Sequence, residues 1–131
     1  MSQAPKGNDM EKPLILCYAL SESDCADLKR FAKRYGAGIR RVPPSSYGLP
    51  IAAVASGLEG TASAPLRELP EPMLVFANFP EAMLQVFLEA LRASSVRKVS
   101  LKAVVTPTNA AWTAEELYRE LCRERSAVRF S

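Results

Sequence analysis

Two unbroken apolar runs of strand length stand out along the chain: Pro13–Leu20 (PLILCYAL) and, fifty-nine residues later, Pro72–Phe79 (PMLVFANF). Neither alternates with polar residues, so each predicts a strand buried on both faces and closed by a loop. Behind each run the apolar spacing changes to that of a helix. Ser21, with Asp24 three residues on, reads as an N-cap in the manner of a capping box. Cys25, Leu28, Phe31, Ala32 and Tyr35 then share one stripe, which Gly36 ends. In the second stretch Pro80 suits a first helical turn, and Met83, Leu84, Phe87, Leu88 and Leu91 form the stripe before Ser94 and Ser95. The spacing predicts helices over 22–35 and 81–93. Ile39–Val42 and Val96–Val99 next repeat one pattern of apolar, basic, basic, apolar, and both predict short strands, the second continuing through Ser100–Val105.

Each short strand leads into a proline-containing polar loop with one aromatic residue, Tyr47 in the first case and Trp112 in the second. Beyond the loops lie Pro50–Ser56 and a helix from Thr113, with its own Thr113/Glu116 capping box and a stripe of Leu117, Tyr118, Leu121 and Cys122. The order predicts an α/β fold: a single compact domain over 13–131, in which two pseudo-repeated βαβ halves (13–56 and 72–125) share a four-stranded sheet. A Gly/Ala/Pro-rich linker (57–71) joins the halves, and a polar N-terminal arm (1–12) is expected to be disordered. Neither half has enough apolar surface for a core of its own. A ferredoxin-like sandwich is the favoured topology, with both main helices on one face and the C-terminal helix at an edge or end. An open parallel sheet is the runner-up, because continuous apolar runs suit strands covered on both sides.

The second half, from PMLVFANF through FLEALRASSVRKVSLKAVVTPTNAAWTAEELYREL, resembles a bacterial family catalogued as domain of unknown function 3783, with LKAVVTPTN and the following WT as the most recognisable stretch. The first half, ending in VPPSSYGLPI, is similar to the leader segment of such proteins. The resemblance implies a type of small protein without implying a mechanism.

Composition narrows the chemistry. There is no histidine among the 131 residues, which removes Ser-His-Asp and Cys-His machinery, histidine-bearing zinc sites and imidazole switches. Seventeen basic against fourteen acidic residues leave a formal charge of +3, too balanced to advertise a nucleic-acid protein. Cys17, Cys25 and Cys122 stand among apolar neighbours and form no CxxC pair, as expected of reduced thiols in a cytoplasmic protein. Pro13–Leu20 lacks the cleavage residues of a signal peptide, and no run approaches the ~20 apolar residues of a membrane span. Tyr35-Gly-Ala-Gly38 follows a helix and enters a strand, the reverse of a dinucleotide fingerprint, so no cofactor is expected.

The loop from Thr106 to Trp112 offers the best candidate site. It runs from a strand end to a helix N-terminus, where anions are favoured. Thr106, Thr108, Asn109 and the upstream Lys102 are candidate ligand-binding residues, with Trp112 at the rim. The same residues suit plain turn chemistry, in which Thr and Asn bond their own backbone, and Trp112 suits a hydrophobic staple. No catalytic or metal-ligating residue is assigned. Glu115, Glu116, Glu120 and Glu124 have the spacing of a solvated helix face. The favoured reading is a non-catalytic binding or regulatory module for a protein partner or a small anionic ligand. One alternative is an enzyme without histidine acting on an anionic substrate at 102–112. Another is weak nucleic-acid binding through Lys29, Arg30, Lys33, Arg34, Arg40 and Arg41. A homodimer through an uncovered sheet face or edge is compatible with all three.

Overall fold

Both apolar runs become the central strands of one sheet. In the computed structural model, which describes residues 12–60 and 67–130 (side chains to 126), the order is β1 (Leu14–Tyr18), α1 (Glu22–Lys33), β2 (Gly38–Val42), a 3-10 turn (Pro44–Ser46) and α2 (Ile51–Ala55). Then follow β3 (Met73–Ala77), α3 (Glu81–Ala93), β4 (Leu101–Val104) and α4 (Ala114–Phe130). The arm up to residue 11 and the middle of the linker lie outside the described residues.

The sheet runs β2-β1-β3-β4. Its outer pairs are parallel, and its central pair, β1 with β3, is antiparallel about Leu16 and Val75. Apart from the half-buried Leu14, every residue of the two central strands is buried, which is why neither run alternates. The α/β class, the single compact domain, the four-stranded sheet and the C-terminal helix are as expected. The finer topology is not. A ferredoxin-like sheet interleaves the strands of its halves so that all neighbours are antiparallel. Here each β-α-β unit instead closes on its own adjacent strand, because the long stretch between β2 and β3 imposes no hairpin. The antiparallel centre likewise excludes an open parallel sheet.

Three layers result. Ile15, Cys17, Leu74 and Phe76 face α1 and α3. Leu16, Tyr18, Met73, Val75 and Leu101 face the 3-10 turn, α2 and α4. The C-terminal helix therefore covers the second sheet face and is not confined to an edge or end. Arg125 of α4 grips both carboxylate oxygens of Glu71 at 2.8 and 3.0 Å, tying the helix to the linker just before β3.

Local signals position these layers. Ser21 Oγ accepts the Asp24 N–H at 3.2 Å. Gly36, at φ +74, turns the chain so that the Ala37 N–H reaches Ala32 O at 3.1 Å. Thr113 and Glu116 satisfy each other's backbone N–H groups reciprocally. Val96–Val99 is not a strand, contrary to its pattern. Ser94 Oγ donates to Leu91 O and accepts the Val96 N–H, and Lys98 Nζ donates to the carbonyls of Leu91, Ser94 and Val96. The segment is spent closing α3, and the strand begins at Leu101.

Phe87 of α3 organises the first layer. It is fully buried, with ring centroids of Phe31, Tyr35, Phe79 and Phe76 at 5.4, 5.3, 5.5 and 6.1 Å. Such edge-on and tilted contacts add to the area buried. Phe87→Ala is expected to cost about 3–5 kcal/mol in urea unfolding. Val86→Ala, one residue away and 58% exposed, is expected to stay within about 0.5 kcal/mol. Equal losses at the two positions contradict this packing.

Candidate functional site

The 106–112 loop folds onto itself. The Thr106 N–H donates to Asn109 Oδ1 at 2.9 Å, and the Asn109 N–H donates to Thr106 Oγ1 at 3.1 Å. Asn109 Nδ2 donates to Val104 O at 3.0 Å, and the Ala110 N–H reaches Thr106 O at 2.9 Å. Asn109 is buried, while Thr106 and Thr108 are exposed. Trp112 is half-buried against the Leu16–Tyr18 side of the sheet, and its carbonyl accepts the Ile51 N–H at 2.9 Å. The polar groups chosen from sequence thus brace a strand-to-helix turn and dock it on α2.

Lys102 is not in that loop's company. It lies opposite Leu74 in the parallel pair, on the sheet face covered by α1 and α3, so the sheet separates it from Trp112. There it borders a groove of about 400 Å³ between the C-terminal half of α3, the following turn and β4. Leu74, Leu88, Leu91 and Val99 form the apolar lining, and Arg92, Arg97, Lys98 and Lys102 bring four cations. No carboxylate lines it.

These cations have different duties. Lys98 caps α3, as described, and Arg97 reaches Asp24 of α1 at 3.2 Å. Among the described residues, Lys102 Nζ donates to a neutral group, Val99 O, at 2.5 Å. Burial and the nearby Arg92 guanidinium hold its ammonium below the usual lysine value. In the other parallel pair, Ile39 stands opposite Ile15 as Lys102 stands opposite Leu74. Ile39 packs on the first-layer core.

A second groove, of about 420 Å³, lies between Tyr47, the 67–70 segment and the start of α4. Its charges balance, Arg67 and Arg119 against Glu68 and Glu115, and the Tyr47 hydroxyl donates to Glu68. The six cations around α1 are similarly committed in part. Arg30 pairs with Asp27, Arg40 donates to Val54 O on one sheet face, and Arg41 donates to Leu20 O on the other. Of the carboxylates on α4, Glu116 completes the cap and Glu120 pairs with Arg123. Cys17 and Cys25 are buried in one cluster. The interaction with neighbouring Cys25, followed by burial, pushes the Cys17 thiol far up, and the same interaction lowers Cys25.

Sequence reasoning missed Arg92, Arg97 and Lys98 because it assigned 96–99 to a strand and singled out no charged residue at the end of the 81–93 helix. The available signal was Lys102 itself, a charge at the register position that Ile39 fills.

Residues 72–128 match the model of a family described as a domain of unknown function (DUF3783). The match begins at the second half, so the family model does not extend to the VPPSSYGLPI segment. Every residue lining the Lys102 groove lies inside the matched stretch, whereas the second groove draws Tyr47, Gly48 and 67–70 from outside it. Comparison with curated proteins and with solved structures found no match.

The loop geometry makes Asn109 structural. Asn109→Ala is expected to lower unfolding free energy by roughly 1–3 kcal/mol, since it removes the part-buried bonds to the Thr106 N–H and Val104 O, while Thr108→Ala stays within about 0.5 kcal/mol. A neutral Asn109→Ala contradicts the bracing role.

Proposed function

We propose that the chain is a non-catalytic binding module for a small anionic ligand, held at the groove beside Lys102 and not by the 106–112 loop. The observation that carries this reading is an excess of positive charge, of which Asp24, outside the lining, offsets one member, Arg97. Four cations converge on a partly desolvated apolar surface with no carboxylate among its lining, and Lys102 faces Arg92. Like charges in such a place repel more strongly than in water, and an arriving anion relieves the repulsion. Perturbed groups in clefts of this kind are favoured binding-site candidates.

An internal repeat supports the same reading. Under a shift of fifty-nine residues, β1 maps onto β3, and the central pairing is symmetric about Leu16 and Val75. The two non-glycine residues with positive φ among the described residues, Ala19 (59°) and Asn78 (64°), each directly follow a central strand and occupy corresponding positions. By strand register, and not by the shift itself, which brings Ile39 to Lys98, Lys102 takes the place of Ile39, so the second half carries a cation where the first carries a side chain packed on the core.

The enzymatic alternative finds less support. Lys102 is bonded to Val99 O and sits across the sheet from the loop that offers Thr108 and Asn109. Nucleic-acid binding is less favoured because three of the six cations near α1 already have partners. No helix among the described residues is long and apolar enough to cross a membrane. Three free cysteines favour a cytoplasmic setting.

The test is titration of the full chain with acetate and inorganic phosphate, followed by amide NMR. Saturating shifts are expected over 88–102, with little change at 106–112. They should fade as salt rises and weaken at least fivefold in Lys102→Met. Shifts confined to the loop, or none at either segment, contradict the proposal.

A further inference from the structure

The groove's apolar lining asks for more than an inorganic anion. We infer that it takes an amphipathic small molecule, an anionic headgroup on a short aliphatic tail, with the headgroup at Lys102 and Arg92 and the tail against Leu88 and Leu91. This rests on the reading of the groove as an anion site.

Three observations lead to it. The lining divides by chemistry, with Leu74, Leu88, Leu91 and Val99 on the apolar side and Arg92, Arg97, Lys98 and Lys102 on the charged side. Leu91 is only 7% exposed, yet Leu88 beside it remains half-buried, which leaves apolar surface for a ligand to cover. The volume, about 400 Å³, also falls within the range of small-molecule sites.

The comparison between the halves makes the argument specific. On the first half's edge strand Ile39 turns its aliphatic side chain onto the core beneath α1. At the corresponding position the second half has Lys102, whose ammonium turns back to Val99 O. At that register position the second half therefore has no aliphatic side chain, and a ligand's tail would lie beside it against Leu88 and Leu91. A bare inorganic anion leaves the leucines wet, and a neutral hydrocarbon leaves the cations unneutralised. Only a molecule with both parts satisfies the site.

The experiment is calorimetric titration of the full chain, with amide NMR in parallel, using acetate, butanoate, hexanoate, octanoate, octyl phosphate and 1-octanol, all kept below micelle-forming concentrations. Each methylene that reaches the leucines is expected to tighten Kd up to about fourfold, so that octanoate binds at least tenfold tighter than butanoate. Octyl phosphate is expected to bind with similar or greater affinity, 1-octanol at least tenfold more weakly, and all shifts to centre on 88–102. Lys102→Met and Arg92→Met are each expected to weaken octanoate about tenfold with the rest of the spectrum unchanged. Leu88→Ser is expected to flatten the chain-length dependence while leaving acetate binding intact.

Acetate and octanoate binding equally well overturns the tail while leaving the anion site standing. Failure of every anion to saturate the groove overturns both. Octanol binding as tightly as octanoate overturns the headgroup assignment. Saturation by an acidic leucine-containing peptide, with no response to octanoate, assigns the groove to a protein partner and overturns the inference.

Discussion

The antiparallel pairing of β1 with β3 is the constraint from which the rest of the molecule follows. Two five-residue apolar strands meet at Leu16 and Val75, with almost no side of either in water. A sheet centre of that kind has to be covered on both faces, so α1 and α3 are needed on one side and the 3-10 turn, α2 and α4 on the other. Each half supplies one of the two strands and part of each cover, so the halves depend on each other for burial. The pairing also assigns β2 and β4 to the edges, where Arg40, Arg41 and Lys102 discourage further strand addition.

The candidate site grows from this same geometry. An edge strand is the one part of a three-layer sheet where a side chain can share a core face and still reach water. Ile39 uses that position to extend the core, and Lys102 uses it to bring charge next to apolar surface. The C-terminal end of α3 adds Arg92 and the Lys98 cap, cations that suit the negative end of a helix dipole. Their local duty and their role at the groove are compatible, because a cap bonded to carbonyls keeps its positive charge.

Much of the architecture was legible in the sequence because it is written in local terms. The prolines before each run, the Ser21 and Thr113 caps and the stripes through Leu28 and Phe87 specify elements within a few residues of themselves. Strand order is a different matter. Nothing in PLILCYAL or PMLVFANF says which neighbour lies on which side, and a long connector leaves both arrangements open. The site was harder still. Thr106 and Asn109 look like ligand donors and acceptors in sequence, yet in the fold they satisfy each other. Arg92, Lys98 and Lys102 look like separate surface charges, and only the return of the chain after α3 gathers them around Leu91. Lys102 alone was identified as a candidate, through a loop with which it shares no sheet face.

The most direct measurement is an isotope-filtered NOE experiment on the full chain with unlabelled octanoate. The account predicts contacts from the aliphatic protons to the methyl groups of Leu74, Leu88 and Leu91, and from the protons next to the carboxylate to the side chains of Lys102 and Arg92. Contacts to Tyr47 and Tyr118 in the other groove, to Trp112, or to no residue at all contradict it.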